Sequence, residues 1–165
     1  MDSLPLDPPF KLPTPEQYDV CITDVKAQDL IEIGVNENKP NLEPVDFPAQ
    51  PFPIEGCFLH SNRFVVPLVC SSARPSYPAF RVWFLLNTSS PYTFISDETV
   101  EKLFGDGNTF CRFGTLYIQK KNVKILCYKS NEKFKELNIL GSDVVEGLKM
   151  NNIGIDWNKK NCFIK

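Results

Sequence analysis

The chain has 165 residues, a formal net charge of −2 and a sequence pI of about 5.5. This length allows one domain with an extension. Without an excess of basic residues, binding to nucleic acid is not expected. No apolar run reaches the length of a membrane span, and the first residues lack the pattern of a secretory signal. We therefore expect an intracellular protein, cytoplasmic or nuclear, with no membrane contact.

The cysteines are widely scattered along the chain, and none of them forms a C-x-x-C pair. The single histidine, His60, leaves too few nitrogen ligands for a zinc site, so we expect neither a metal nor a cofactor. Reduced, partly buried thiols in a reducing compartment are the expectation. The six cysteines are Cys21, Cys57, Cys70, Cys111, Cys127 and Cys162.

Proline marks an N-terminal extension, residues 1–53, which holds ten of the fourteen prolines. Residues 1–16 are predicted to be an extended, poorly ordered arm. Residues 18–35 fit one or two strands or a short helix, and periodicity does not separate these possibilities. Residues 36–53 are predicted to be loop or extended chain. The extension either folds over the domain that follows or binds a partner as a peptide-like segment.

From residue 54 onward the pattern becomes that of β-structure. Residues 56–70 predict two strands joined by a turn at Ser61 and Asn62. Residues 79–86 form a nearly continuous apolar strand, which indicates burial on both faces. A turn is predicted over residues 87–91, and a short strand follows at residues 92–95.

A helix is predicted next, beginning with a cap at Ser96 or Asp97 and ending at Gly105. Its apolar side chains recur at the spacing of one helix face. Beyond it, residues 114–129 predict a hairpin with an apolar inner face, and residues 137–141 predict a short buried strand. A second short helix, capped by Ser142 or Asp143, and a closing hairpin over residues 153–164 complete the chain.

Two of these segments resemble the signatures of one family. Residues 82–96 consist of a buried apolar strand, then Asn87, Thr88 and Ser89, and then Ser-Pro and a later Ile-Ser. This stretch resembles the catalytic turn of the retropepsin-like aspartic proteases, in which an apolar strand leads into Asp-Thr/Ser-Gly. A second segment is similar to the later signature of that family, two aliphatic residues and a glycine before a helix, namely Ile139, Leu140 and Gly141.

The resemblance covers residues 54–165 and implies a mainly β fold. We expect a closed or partly open acid-protease-like β-barrel with two short helices, preceded by the Pro-rich extension of residues 1–53. In this family two chains together supply the two catalytic aspartates, and the threonine of the turn donates its hydroxyl to the partner turn. The resemblance therefore implies a homodimer or heterodimer formed through the turn of residues 87–89.

The sequence departs from the family at two of the three turn positions. Asn87 stands where the catalytic aspartate is required, and a carboxamide cannot take a proton from water near neutral pH. Ser89 replaces glycine, whereas Thr88 keeps the hydroxyl of the grip. We therefore expect a catalytically inactive domain, not an enzyme, that acts as a dimerisation, protein-interaction or scaffold module and can bind another protein or peptide.

Two alternatives remain open from the sequence. In one, the chain is a retropepsin-type aspartic endopeptidase captured as an Asp-to-Asn variant at residue 87. In the other, Asn87 begins an ordinary β-turn in an unrelated barrel. The interval of residues 97–114 is also too short for a long flap over a substrate. Among the remaining polar residues, Asp143 is predicted to cap a helix, Asp156 to lie in a turn and His60 to lie at the surface.

Overall fold

The computed structural model describes residues 13–19, 21–50, 52–72, 74, 76–105, 112–150 and 152–165. Most of the arm predicted to be poorly ordered, residues 1–12, lies outside these ranges. So do residues 106–111, which belong to the interval judged too short for a long flap.

Three helices and ten strands make up the described chain. The helices are α1 (Ala27–Asn36), α2 (Asp97–Phe104) and α3 (Ser142–Gly147). The strands are β1 (Glu43–Val45), β2 (Ile54–Phe58), β3 (Phe64–Ser71), β4 (Ala79–Leu86), β5 (Phe94–Ile95), β6 (Phe113–Ile118), β7 (Lys124–Lys129), β8 (Ile139–Leu140), β9 (Ile153–Asp156) and β10 (Asn161–Ile164). None of the helices within the described ranges combines the length and the apolar content that a bilayer span requires.

The strands form one sheet that closes on itself. Its order is β1-β4-β8-β5-β7-β6-β3-β2-β10-β9, and an additional pairing joins β4 to β3. Six strands, from β4 through β8, β5, β7 and β6 to β3, therefore form a closed ring. β1 and the β2-β10-β9 group extend the sheet beyond that ring. The expectation of a mainly β fold with a closed or partly open barrel is confirmed.

Strand β4 lies at the centre of the protein and separates two apolar cores. Its odd and even side chains alternate between them, as strand geometry requires. Val82 and Phe84 belong to the core inside the barrel, whereas Trp83 and Leu85 belong to a second core outside it. All four side chains are essentially inaccessible to water, and each such burial is worth roughly 1.5–3 kcal/mol. The apolar run that predicted a doubly buried strand is confirmed.

The extension covers the outer face of β4. The Trp83 indole Nε1 donates to the Lys39 carbonyl over 2.7 Å, and the Trp83 backbone N–H donates to Asn41 Oδ1 over 2.9 Å. Strand β1 pairs with the first half of β4, with Glu43 opposite Arg81, and these two side chains form an ion pair. Among the described residues, the extension thus packs on its own chain.

The structure decides two local assignments in the extension. Helix α1, which begins at Ala27 and ends at Asn36, is one of the possibilities that periodicity left open, and the two short helices expected in the barrel domain are α2 and α3. Three residues of the segment predicted to be loop or extended chain, Glu43–Val45, pair with the sheet. Helix α1 joins the second apolar core through the buried Leu30, and β1 is held by its pairing with β4.

The helix and the hairpin predicted in the middle of the chain are present. Ser96 Oγ accepts a hydrogen bond from the Thr99 N–H, so Ser96 is the cap of α2, and Gly105 ends that helix at a φ of 82°. A left-handed φ of this kind favours glycine. In the β6–β7 hairpin, every side chain predicted to point inward is buried: Leu116, Ile118, Val123, Ile125 and Cys127.

Gly141 lies where the backbone of another segment leaves no room for a side chain. A Cβ atom at this position would fall far inside van der Waals contact of the Tyr92 carbonyl oxygen. Because that obstacle is backbone, a rotamer change cannot relieve it. By contrast, a Cβ atom at Gly154 would meet nothing within 4 Å.

We expect Gly141→Ala to destabilise the fold by about 1–3 kcal/mol or more, since overpacking forces backbone shifts. Gly154→Ala is the matched control. It should change stability by less than about 0.5 kcal/mol, or slightly stabilise the strand. Urea unfolding of both variants measures the difference. Equal stability of the two variants would contradict the close approach at Gly141.

Candidate functional site

The two sequence signatures meet where strand β8 enters between β4 and β5. Leu85 and Leu86 pair in parallel with Ile139 and Leu140, while Phe94 pairs with Ile139 on the opposite edge of β8. The chain between β4 and β5 must therefore arch over the end of β8. That arch, residues 87–93, carries the turn that the sequence singled out.

Backbone hydrogen bonds fix the arch to the strand beneath it. The Asn87 N–H donates to the Leu140 carbonyl over 2.9 Å, and the Ser142 N–H donates to the Ser90 carbonyl over 2.8 Å. Ile139 and Leu140 are fully buried, and Gly141 is also buried. The structure therefore brings the residues of the second signature directly under the predicted catalytic turn.

Asn87 is half-buried at the start of the arch, and its side chain closes a local turn. Its Oδ1 accepts from the Ser89 N–H over 3.2 Å, and its carbonyl accepts from the Ser90 N–H over 3.0 Å. An asparagine side chain that bonds the backbone two residues ahead is typical of a turn. The neutral carboxamide at this position offers no proton-accepting group near neutral pH.

Thr88 and Ser89 are exposed on the outside of the turn. Within the described parts of the chain, the Thr88 hydroxyl makes no hydrogen bond, so it is available to a second molecule. The Ser89 carbonyl already accepts a hydrogen bond from the Tyr18 hydroxyl over 2.8 Å. The three residues of the predicted turn therefore lie together, and Tyr18 of the N-terminal extension contacts one of them.

Ser90 and Thr93 hold the arch from inside the protein, and neither is accessible to water. Ser90 Oγ donates to the Tyr92 carbonyl over 2.6 Å. Thr93 Oγ1 donates to Asp143 Oδ1 over 2.6 Å and accepts from the Gly141 N–H over 3.0 Å. Both hydroxyls thereby satisfy polar groups that would be costly to bury unpaired.

The expected cap role of Asp143 is wrong. The cap position of α3 is Gly141, and Asp143 lies in the first turn of the helix. Its carboxylate accepts from the Thr93 hydroxyl, from the Thr93 N–H over 3.1 Å and from the Val144 N–H over 2.8 Å. Two of these donors belong to the arch. Asp143 therefore fixes the arch to α3 instead of capping the first residue of that helix.

Burial raises the pKa of the Asp143 carboxyl, and the hydrogen bonds from Thr93 and Val144 oppose that rise. The first effect is the larger, because removing a carboxylate from water disfavours its charged form. The folded state therefore holds this proton more tightly than the unfolded state. The resulting contribution to stability is present below the unfolded pKa of about 3.9 and is lost as the pH rises through the folded pKa.

Asn138 is a further site residue that the sequence analysis did not single out. It is buried, its Oδ1 accepts from the Ser96 N–H over 2.9 Å, and its Nδ2 donates to the Trp83 carbonyl over 3.3 Å. It thereby joins β4 to the start of α2 across β8. The signal in the sequence was a single amide side chain within the apolar run of residues 137–140. A polar side chain buried in such a run needs hydrogen-bond partners, so it indicates a structural role.

The other polar residues lie away from the turn. His60 is exposed, as predicted. Asp156 ends β9, and its Oδ1 accepts from the N–H groups of Asn158 and Lys159 over 3.0 and 3.1 Å. This is the turn role that the sequence predicted.

Comparison with known proteins gives a similarity to solved structures. No protein-family model matches the sequence, and no curated protein matches it. Among solved structures, the chain is similar to a retropepsin-like aspartic protease from Rickettsia conorii, with a TM-score of 0.46 and 14% sequence identity. The match covers 68% of this chain and 89% of that one.

The hydrogen bond from Thr93 makes a testable contribution to the titration of Asp143. Thr93→Val keeps the shape of the side chain but removes the hydroxyl that favours the ionised carboxylate. We expect the pKa of Asp143 to rise further in this variant, and the loss of stability with rising pH to move to higher pH accordingly. NMR titration of the Asp143 carboxyl carbon measures the pKa, and urea unfolding across pH 3–7 measures the stability.

The matched control is Thr115→Val on strand β6, which removes a hydroxyl at a half-exposed position. It should leave the titration of Asp143 unchanged. An Asp143 pKa that stays constant or falls in Thr93→Val would contradict the described hydrogen bond.

Proposed function

We propose that this chain is a retropepsin-like domain that has lost acid–base catalysis and serves as a dimerisation, protein-interaction or scaffold module. One observation carries the proposal. The arch over β8 has the position of a catalytic turn, and it presents the neutral Asn87, whose side-chain oxygen is bonded to the Ser89 N–H over 3.2 Å.

The chemistry of peptide hydrolysis by this family requires a pair of carboxylates that share one proton. One carboxylate accepts a proton from the attacking water while the other donates to the scissile carbonyl. Two copies of this chain would bring together two carboxamides, and neither could act as the base. The side chain of Ser89 adds bulk where the family has glycine. An interaction module of this family is expected to keep the threonine at residue 88, which serves dimerisation, and to lack the catalytic aspartate at residue 87.

A second candidate is an aspartic endopeptidase of the retropepsin type, represented here with asparagine in place of its aspartate. The intact arch favours this alternative. Asparagine and aspartate have nearly the same shape, and the exposed Thr88 hydroxyl is free for a partner turn. A single change at residue 87 would then separate an active chain from an inactive one.

The thiols support a location inside the cell as part of the proposal. The described cysteines are free, and all except Cys21 are buried. Burial raises the pKa of Cys57 to about 12 and that of Cys162 to about 11, which keeps both thiols protonated and unreactive. A fold that uses its cysteines as small apolar side chains suits a reducing compartment.

The variant Asn87→Asp tests the loss of catalysis. We expect no pepstatin-sensitive peptide cleavage above that of Asn122→Asp, a matched change in the exposed turn of the β6–β7 hairpin. Fluorogenic peptide libraries at pH 4–7 provide the measurement. Pepstatin-sensitive cleavage by Asn87→Asp alone would overturn the proposal and establish the endopeptidase alternative.

The proposed homodimer is tested by mass in solution. Sedimentation equilibrium at micromolar concentration should give about twice the 18.8 kDa of the chain. Thr88→Val removes the hydroxyl proposed to cross the interface, so dissociation should be about tenfold easier, equivalent to about 1.4 kcal/mol. Thr115→Val, at a half-exposed position away from the turn, is the control. A monomer at all micromolar concentrations would remove the homodimer, leaving a heterodimer as the form to be tested by co-purification.

A further inference from the structure

The N-terminal arm, residues 13–19, lies against the barrel beside the turn. Hydrogen bonds attach it to the barrel. The Tyr18 hydroxyl donates to the Ser89 carbonyl over 2.8 Å, the Tyr92 hydroxyl donates to the Pro13 carbonyl over 3.1 Å, and Asn131 Nδ2 donates to the Tyr18 carbonyl over 2.6 Å. The barrel thus binds main-chain carbonyls of the arm as well as the Tyr18 side chain.

An aromatic surface receives the tyrosine of the arm. The Tyr18 ring stacks on Phe94 with ring centroids 6.1 Å apart and an interplanar angle of 21°. It meets Tyr92 edge-on at 6.3 Å, and Tyr92 meets Tyr128 edge-on at 5.3 Å. We call Tyr92, Phe94 and Tyr128 the aromatic face. Aromatic pairs of this geometry are worth about 0.5–1.5 kcal/mol each beyond the area that they bury.

Opposite charges accompany the aromatic contact. Asp19 Oδ2 lies 2.7 Å from Lys133 Nζ. Glu16 and Arg112 line a cleft of about 650 Å³ between the arm and the barrel. The arm therefore places its carboxylates beside Lys133 and Arg112 of the barrel, in a cleft that Glu132 also lines. Pairs this exposed contribute little to stability, but they select for the charge of the segment that docks.

The contacts of the arm differ from those of the extension that follows it. Ile22 and Val25 are buried in the second apolar core, so the chain is anchored from there onward. Before that anchor, Tyr18 is the one large side chain of residues 13–19 that is half-buried on the barrel. A segment held by one aromatic side chain and a few hydrogen bonds can leave its site without unfolding the domain.

We propose that the aromatic face, with Asn131 and the Ser89 carbonyl, is a docking site for an acidic, tyrosine-bearing segment of a partner protein. Residues 13–19 are its resident occupant and compete with the partner. The tether raises the effective concentration of the arm, so a partner must displace it. This inference goes beyond the proposed function, because the site exists whether or not residue 87 can support catalysis.

Peptide titration of the full-length chain tests the site. The probe is a synthetic peptide of residues 13–20. It is titrated into the wild-type chain and into the Tyr18→Ala variant, and its binding is measured from the NMR chemical shifts of each chain. If the arm occupies the site about 90% of the time, the apparent affinity of the wild-type chain for the peptide is reduced about tenfold. We therefore expect the peptide to bind Tyr18→Ala about tenfold more tightly, with shifts at Tyr92, Tyr128 and Asn131.

A peptide with alanine in place of its tyrosine is the matched control and should cause no such shifts. Tyr18→Phe keeps the ring but loses the bond to Ser89, and it should give an intermediate affinity. This variant also provides the test if Tyr18→Ala does not fold. Absence of binding to the arm variants at millimolar peptide, or equal binding of both peptides, would overturn the proposal. Neither result depends on cleavage by Asn87→Asp, so failure here is distinct from failure of the proposed function.

Discussion

The insertion of β8 between β4 and β5 is the constraint on which the rest of the structure depends. A two-residue strand has few hydrogen bonds of its own, and β8 is stable because both of its edges and both of its faces are covered. The Leu85 N–H donates to the Asn138 carbonyl, and the Asn87 N–H donates to the Leu140 carbonyl, each over 2.9 Å. The arch of residues 87–93 must pass over the end of β8 within seven residues. The position of Asn87 therefore follows from the insertion of β8. The position of the turn is therefore set by the topology, and the residue types of the turn then close it locally.

The strongly patterned elements of the barrel could be predicted from the sequence for simple physical reasons. The apolar run of β4 has the same bounds in the structure as in the prediction, because a strand buried on both faces must be apolar at every position. Helix α2 lies between its cap at Ser96 and Gly105. A serine that can cap a helix and a glycine that can adopt a left-handed φ made both ends recognisable in the sequence. The alternating hairpin of β6 and β7 is equally direct, since its period of two assigns each side chain to a face.

The parts that the sequence did not predict depend on contacts between distant segments. Helix α1 packs into a second apolar core to which Trp83 of a distant strand contributes, so its own periodicity was not decisive. Asp143 has the residue type of a helix cap, and only the approach of Thr93 from the arch redirects it. Asn138 looks like an interruption of an apolar strand until its two partners, Ser96 and Trp83, are seen. Tertiary context overrides local preference at each of these positions.

The hydrogen bond between Tyr18 and the turn has a consequence for how the turn can evolve. Tyr18 binds the main-chain carbonyl of Ser89, an atom that every amino acid possesses. The arm therefore recognises the path of the backbone and is indifferent to which side chains the turn displays. Substitutions that change the charge of residue 87 could accumulate beside the same arm without a compensating change in it. The contact with the arm and the identity of the turn are free to drift separately, as long as the arch keeps its shape.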